Sequence, residues 1–154
     1  MILAITGHRP NKVGGYDIPN PTYISVCQKI EKALIKIKPE KMLIGMALGV
    51  DSWTANICNK LNIPYAAIIP FVGFNSLWND EDKKRYDSLL KKSSEIIYVS
   101  PPPYTKEKLQ IRNQYLVDNS DALLAVWNLE KNSGTYNCIS YAISKNKLVY
   151  YIKI

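Results

Sequence analysis

Cysteine is scarce in this 154-residue sequence, and its positions exclude two kinds of site. The three cysteines, Cys27, Cys58 and Cys138, are odd in number and far apart. Their spacings match neither a zinc site nor a redox pair. The sequence therefore assigns no metal and no cofactor, and unpaired cysteines predict a reducing, cytoplasmic environment.

Long apolar runs are also missing. No run approaches the roughly 20 residues that a membrane-spanning helix needs. The short apolar start of the chain leads directly into the polar segment Gly7–Pro10, so we expect no signal peptide and no membrane contact. The length suits one hydrophobic core, and residues 1–154 are predicted to form a single domain.

Acidic residues are outnumbered, since 20 Lys and Arg stand against 13 Asp and Glu, which gives a net charge of +7. A positive charge favours anionic partners. The basic residues are nevertheless spread from Arg9 to Lys153 and form no stripe, which is more typical of a solvated surface than of nucleic-acid binding. We expect a small anionic ligand, and nucleic acid is disfavoured.

Short runs rich in β-branched residues alternate with longer helical segments. This alternation predicts an α/β protein with a three-layer α/β/α fold, in which helices cover both faces of a mainly parallel sheet of about six strands. The predicted strands are Ile2–Thr6, Lys41–Gly45, Tyr65–Pro70, Glu95–Val99, Ala122–Trp127 and Leu148–Ile152. The predicted helices are Thr22–Ile37, Asp51–Leu61, Asp80–Lys92, Lys106–Asn119 and Gly134–Lys145.

Small residues follow the first, second and fifth predicted strands. In an open sheet, ligands bind at the carboxyl ends of the strands. Small residues let backbone amides approach a ligand, and a helix start offers free N–H groups that suit phosphate. These turns predict an anion or nucleotide site, with contacts from Thr6, Gly7, Gly45, Met46, Ala47, Gly49, Ser133, Gly134 and Thr135.

Arg112 shares one face of the fourth predicted helix with apolar residues, because Leu109, Arg112 and Leu116 are spaced i, i+3 and i+7. A buried guanidinium needs a partner of opposite charge. A ligand phosphate is one candidate, and a carboxylate such as that of Asp118 or Asp121 is the other. The spacing leaves both open.

Three more side chains lie near the same predicted edge. His8 follows the first strand and has three open roles: general acid or base, ligand contact, or structural residue. Its neighbour Arg9 is a candidate cation for a phosphate. Trp78 lies near the end of the third strand, where it stacks on a base or belongs to the core.

The motifs resemble those of a known family. They are Thr6–Pro10 with Gly14–Tyr16, GMALGVD at Gly45–Asp51, RNQYLVDNSDALLAVWN at Arg112–Asn128, and SGT at Ser133–Thr135. In this order, over nearly the whole chain, they resemble the YpsA/YoqJ-like branch of the SLOG superfamily. The resemblance implies a Rossmann-like fold that binds nucleotides or nucleotide-derived ligands, a phage or prophage protein acting in the host cytoplasm, and a homo-oligomer.

A comparison with the related LOG phosphoribohydrolases bears on catalysis. Those enzymes carry an arginine nine positions before a Ser-Asp aspartate, as Arg112 stands nine before Asp121 here. They also carry GGxGTxxE, and Cys138 occupies the position of its catalytic glutamate. Because a thiol does not replace that carboxylate, the resemblance implies retained binding and doubtful hydrolysis. No catalytic residue is assigned.

The leading hypothesis is a protein that binds an ADP-ribose-like or cyclic-nucleotide signal, and in a phage sequesters a host immune signal without turnover. Phosphates would rest on Gly45–Gly49 and Ser133–Thr135, clamped by Arg112 and Arg9. Base or ribose would contact His8, Trp78 and Asn128. One alternative is a nucleotide N-glycosidase that uses His8, Asp51 or Asp121. A weaker one is single-stranded DNA binding of the DprA kind.

Overall fold

The computed structural model describes residues 1–154 and contains six β-strands and five α-helices. The strands are β1 Ile2–Gly7, β2 Lys41–Ile44, β3 Tyr65–Ile69, β4 Glu95–Tyr98, β5 Ala122–Trp127 and β6 Leu148–Lys153. The helices are α1 Pro21–Ile37, α2 Val50–Leu61, α3 Asp80–Lys92, α4 Lys106–Asp118 and α5 Gly134–Ser144. Each lies within one residue of its predicted bounds at either end. A 3-10 turn at Pro10–Lys12, in the loop after β1, was not predicted.

All six strands are parallel and lie in the order β4-β3-β2-β1-β5-β6. Leu3 of β1 pairs with Met42 of β2 on one side and with Ala122 of β5 on the other. The chain therefore builds outward in one direction from β1 and then in the other. The carboxyl ends of β1 and β5 form the switch point where open α/β sheets bind ligands.

Helices cover both faces of the sheet. Successive strand side chains point to opposite faces, so Leu3 and Ile5 pack toward α1, α2 and α3, while Ala4 packs toward α4 and α5. Two separate apolar clusters result, one on each face. This arrangement confirms the predicted Rossmann-like α/β/α class.

Side-chain caps fix where most helices begin. Asn20, Asn79, Thr105 and Ser133 each accept a hydrogen bond from the backbone N–H three residues further on. Helix α2 is the exception, because its N-cap is Gly49, which has a φ of 93° and no side chain to offer. None of the helices has the length and apolar character needed to cross a bilayer.

Candidate functional site

Two cavities open at the carboxyl edge of the sheet. The first, here called the anion cavity, has a volume of about 330 Å³ and lies at the switch point, between the end of β1, α4 and the start of α5. Nine of the predicted contact residues line it: Thr6, Gly7, His8, Arg9, Ala47, Arg112, Ser133, Gly134 and Thr135. The structure thus brings together residues that lie more than a hundred positions apart in the sequence.

The other five predicted contacts lie elsewhere. Met46, Gly49 and Trp78 line a second cavity of about 590 Å³ beside α1, α2 and α3, here called the aromatic cavity. Gly45 and Asn128 line neither cavity. Their roles are internal, because the Gly45 carbonyl accepts a hydrogen bond from Arg112 and the Asn128 N–H donates one to His8.

Arg112 is the buried cation of the anion cavity, with only 6% of its surface exposed. Its Nη1 donates to the carbonyl oxygens of Gly45 and Ile68, at the ends of β2 and β3. Its Nε donates to Oδ1 of Asn113 at 3.0 Å. Nη2 makes no hydrogen bond within the chain and is free for a ligand.

The two carboxylates considered as structural partners of Arg112 are engaged elsewhere. Asp118 accepts a hydrogen bond from the Tyr141 hydroxyl at 2.8 Å. Asp121 lies at the opposite, amino edge of the sheet, where it accepts from the Ile2 N–H at 2.7 Å. The suggestion that Asp118 or Asp121 neutralises Arg112 is therefore wrong, and so is a catalytic role for Asp121 at this edge.

The glycine at position 45 is required by the arginine. A Cβ at this position would lie 2.5 Å from Nη1 and 2.7 Å from Cζ of Arg112. Gly7 is constrained in a similar way, since a Cβ there would lie 2.4 Å from a methyl group of Val50. Both glycines serve close packing between elements, and the space beside them is already filled by protein.

His8 ties the loop after β1 to the end of β5. It is 5% exposed, and its Nε2 accepts a hydrogen bond from the Asn128 N–H at 3.1 Å. A ring nitrogen that accepts carries no proton, so the imidazole is neutral with its hydrogen on Nδ1. Burial lowers the pKa of His8, which favours the same neutral form.

The rim of the anion cavity carries two more cations. Arg9 is exposed and forms no ion pair within the chain. Lys12 forms a salt bridge with Glu130 at 3.0 Å, which joins the loop after β1 to the loop after β5. Lys12 also lowers the pKa of Glu130, so the Glu130 side chain is an ionised carboxylate paired with Lys12.

The start of α5 forms the opposite wall. The Ser133 hydroxyl accepts from the Tyr136 N–H and donates to the Glu130 carbonyl oxygen, which fixes the cap. The N–H groups of Gly134 and Thr135 belong to the first turn and have no intrahelical acceptor. Space in front of Gly134 is open, since a Cβ there would meet nothing within 4 Å. This wall suits an anion.

One buried acid lines the cavity. Asp51, in the first turn of α2, is 8% exposed, and its Oδ2 accepts from the Ala47 N–H at 3.1 Å. Burial raises the pKa of Asp51, and the charge of Arg112 opposes this shift. Cys138 offers no substitute for a catalytic carboxylate. It lies on the buried face of α5, where burial raises the pKa of its thiol to about 11 and keeps it neutral.

The aromatic cavity was not expected as a separate feature. Its walls carry the rings of Tyr16, Tyr23, Trp53, Trp78 and Tyr86. Tyr23 meets Trp53 edge to face at a centroid distance of 4.8 Å, and Trp78 meets Tyr86 in the same way at 5.2 Å. Trp78 is thus both part of an aromatic cluster and part of a cavity wall.

Comparison with known proteins identifies the family of this chain. The parallel three-layer architecture is that of the Rossmann-like α/β proteins. The YpsA family model, described as the YspA SLOG family, matches residues 3–154, and the chain belongs to this family. This confirms the resemblance drawn from the motifs.

Curated relatives and solved structures agree with this assignment. A UPF0398 protein of Bacillus cereus strain AH820 is 24% identical over 97% of this chain and 86% of its own length. DprA of Streptococcus pneumoniae has a TM-score of 0.73 at 16% identity over 99% of this chain. DprA of Helicobacter pylori, whose structure describes single-stranded DNA binding, has a TM-score of 0.69 at 18% identity over 98% of this chain. This chain spans 50% of the first DprA chain and 64% of the second, and the likeness shows the fold.

Proposed function

We propose that the anion cavity binds the phosphates of a small nucleotide-derived ligand, of the ADP-ribose-like or cyclic-nucleotide class, and that the protein retains this ligand without turnover. The observation that carries the proposal is the free Nη2 of the buried Arg112, on a cavity whose other wall is the first turn of α5. Sequestration of a host signal by a phage or prophage protein in the cytoplasm, as a homo-oligomer, is part of the same proposal.

The charge around the cavity supports an anionic ligand. Arg9, Lys12 and Arg112 are its cations, and Asp51 and Glu130 are its acids. The salt bridge between Lys12 and Glu130 balances one pair. Of the remaining three groups, Arg9 and Arg112 outnumber Asp51, so the cavity keeps an excess of positive charge even when Asp51 is ionised. Arginine forks match the geometry of phosphate oxygens.

A second candidate function is cleavage of an N-glycosidic bond, and Asp51 is the observation that favours it. A carboxyl group with a raised pKa at the wall of a ligand cavity is suited to act as a general acid. His8 is less suited, since its Nε2 is occupied by the Asn128 N–H. Single-stranded DNA binding rests only on the fold shared with DprA.

One experiment separates these functions. The purified protein is incubated with AMP, ADP-ribose, cyclic ADP-ribose isomers and a single-stranded oligonucleotide, then denatured, and the released compounds are analysed by mass spectrometry. Intact nucleotide recovered in stoichiometric amount supports retention. Free base or ribose phosphate, lost again in Asp51→Asn, supports the enzyme and contradicts the proposal. Retention of the oligonucleotide alone supports DNA binding.

Arg112→Ala tests the cavity itself. If the guanidinium pairs with phosphate in this desolvated position, its removal weakens nucleotide binding by about 2–5 kcal/mol, measured by calorimetry. Lys29→Ala is the control, because Lys29 is an exposed cation of α1 that lines neither cavity. A folded Arg112→Ala protein with unchanged affinity would remove Arg112 from the site.

A further inference from the structure

The aromatic cavity has no role in the function proposed above, although it is the larger of the two cavities at this edge. Five aromatic side chains line it, and such rings bind flat ligands by stacking and edge contacts. We propose that the aromatic cavity receives the purine base of the same nucleotide whose phosphates occupy the anion cavity. This inference rests on the function proposed above.

The two cavities lie on opposite sides of a ridge formed by the loop after β1 and the turn after β2. In the turn after β2, Met46 and Gly49 line the aromatic cavity, whereas Ala47 lines the anion cavity. In the loop after β1, Arg9 lines the anion cavity and Pro10 the aromatic one. Because adjacent residues of each segment line opposite cavities, a single ligand needs to cross only this ridge to occupy both cavities.

The segment between β3 and α3 reaches both sides of the ridge. The ring centroid of Phe74 lies 5.5 Å from that of Trp78, on the wall of the aromatic cavity. The same ring lies 5.8 Å from the Arg112 guanidinium carbon, at the anion cavity. The two cavities therefore share a continuous set of side chains over the edge of the sheet.

The polar groups of the aromatic cavity include free hydrogen-bonding side chains that suit a neutral base. Of its two cations, Arg85 is already paired with Glu81 and Asp82, at 3.6 and 3.3 Å, and Lys92 lies exposed at the end of α3. The side chains of Asn56 and Ser88 line the cavity and make no hydrogen bond within the chain. A free carboxamide offers the donor and acceptor that match the edge of adenine.

Calorimetry with two probes, inorganic pyrophosphate and ADP-ribose, tests this assignment. The wild-type protein is expected to bind ADP-ribose at least about tenfold more tightly than pyrophosphate, because only ADP-ribose carries a base. Tyr16→Ala and Asn56→Ala, both at exposed positions, should each weaken ADP-ribose binding about three- to tenfold and leave pyrophosphate binding unchanged. Tyr98→Ala, an exposed tyrosine of β4 outside both cavities, should change neither.

Tryptophan fluorescence locates the bound base. Trp53 and Trp78 line the aromatic cavity and Trp127 does not, so the Trp127→Phe protein reports from this cavity alone. ADP-ribose should change its emission and pyrophosphate should not.

The outcomes distinguish the base site from the anion site. If pyrophosphate binds, but ADP-ribose binds no more tightly or is unaffected by both Tyr16→Ala and Asn56→Ala, the base assignment is overturned and the anion site stands. If neither probe binds, the function proposed above fails, and the base site fails with it.

Discussion

The two cavities at the carboxyl edge share one ridge of backbone and differ in chemistry. The anion cavity is walled by Arg112, His8 and Asp51, whose polar atoms are fixed by hydrogen bonds to the main chain. The aromatic cavity is walled by rings in edge-to-face contact. The difference in chemistry arises because different parts of the helices line the two cavities. Helix α5 presents its first turn, with free N–H groups, whereas α3 presents side chains along its length and α1 and α2 present side chains from their amino-terminal parts.

The largest expected effect on stability comes from Gly45→Ala, which should damage the anion cavity and spare the aromatic one. The new Cβ would lie 2.5 Å from Nη1 of Arg112, so the guanidinium would have to shift and give up its hydrogen bond to the Gly45 carbonyl. We expect a loss of about 1–3 kcal/mol in the free energy of unfolding, measured by chemical denaturation, together with weaker pyrophosphate binding. Fluorescence from Trp53 and Trp78 should stay unchanged.

Gly134→Ala is the matched control for this substitution. It also lies at the anion cavity, but a Cβ there meets nothing within 4 Å and its backbone is helical. Its free energy of unfolding should change by less than about 0.5 kcal/mol. Equal stability of the two variants would show that Arg112 is not held against Gly45.

The next effect is a dependence of the free energy of unfolding on pH, which arises from His8 in the anion cavity. Burial lowers the pKa of His8 below 6.5, its ordinary value in an unfolded chain. Below pH 6.5 the unfolded chain binds a proton that the folded protein excludes. Stability is therefore lost as the pH falls from 6.5 toward the folded pKa, by at most about 1.4 kcal/mol per pH unit.

His8→Gln isolates this contribution, because glutamine keeps an acceptor for the Asn128 N–H and does not titrate. His8 is the only histidine, so urea denaturation at about pH 7.5 and about pH 5.5 should show a larger loss for the wild type than for the variant. Parallel losses in the two proteins would contradict a neutral, buried His8.

The smallest effect is expected from Glu130→Gln. This change removes an acid from the rim of the anion cavity and releases Lys12. Pyrophosphate should bind about two- to fivefold more tightly, and salt should reduce the gain. Glu95→Gln makes the same charge change in the pair with Lys41 at the amino edge, and should have no effect on binding. If Glu130→Gln and Glu95→Gln increased pyrophosphate affinity to a similar extent, the net charge of the protein would explain the increase, and the Lys12–Glu130 salt bridge would not.

Local pattern was enough to predict the fold. The alternation of short β-branched runs with helical segments placed every strand and helix, because each type buries its apolar residues with its own period. The parallel sheet then brought Thr6, Ala47 and Gly134 to one edge, as the position of each after a strand indicated.

The roles of single residues could not be predicted, because they depend on contacts between residues that are far apart in the sequence. Gly45 resembled a ligand-binding turn and proved to make room for an arginine 67 positions away. Lys12 and Glu130 are 118 positions apart, and no spacing rule joins them. The aromatic cavity escaped notice because Tyr23 and Trp53 on helices follow the same periodicity as core residues.

The tether of Arg112 to the ends of β2 and β3 has a thermodynamic consequence. A partly folded chain that lacks α4, β2 or β3 in place has no anion site, so a ligand of this cavity binds the native state alone. Occupancy and folding then form one linked equilibrium, and unfolding becomes harder as the concentration of free ligand rises. In a cell that degrades unfolded chains, a ligand that fills this cavity would raise the amount of this protein.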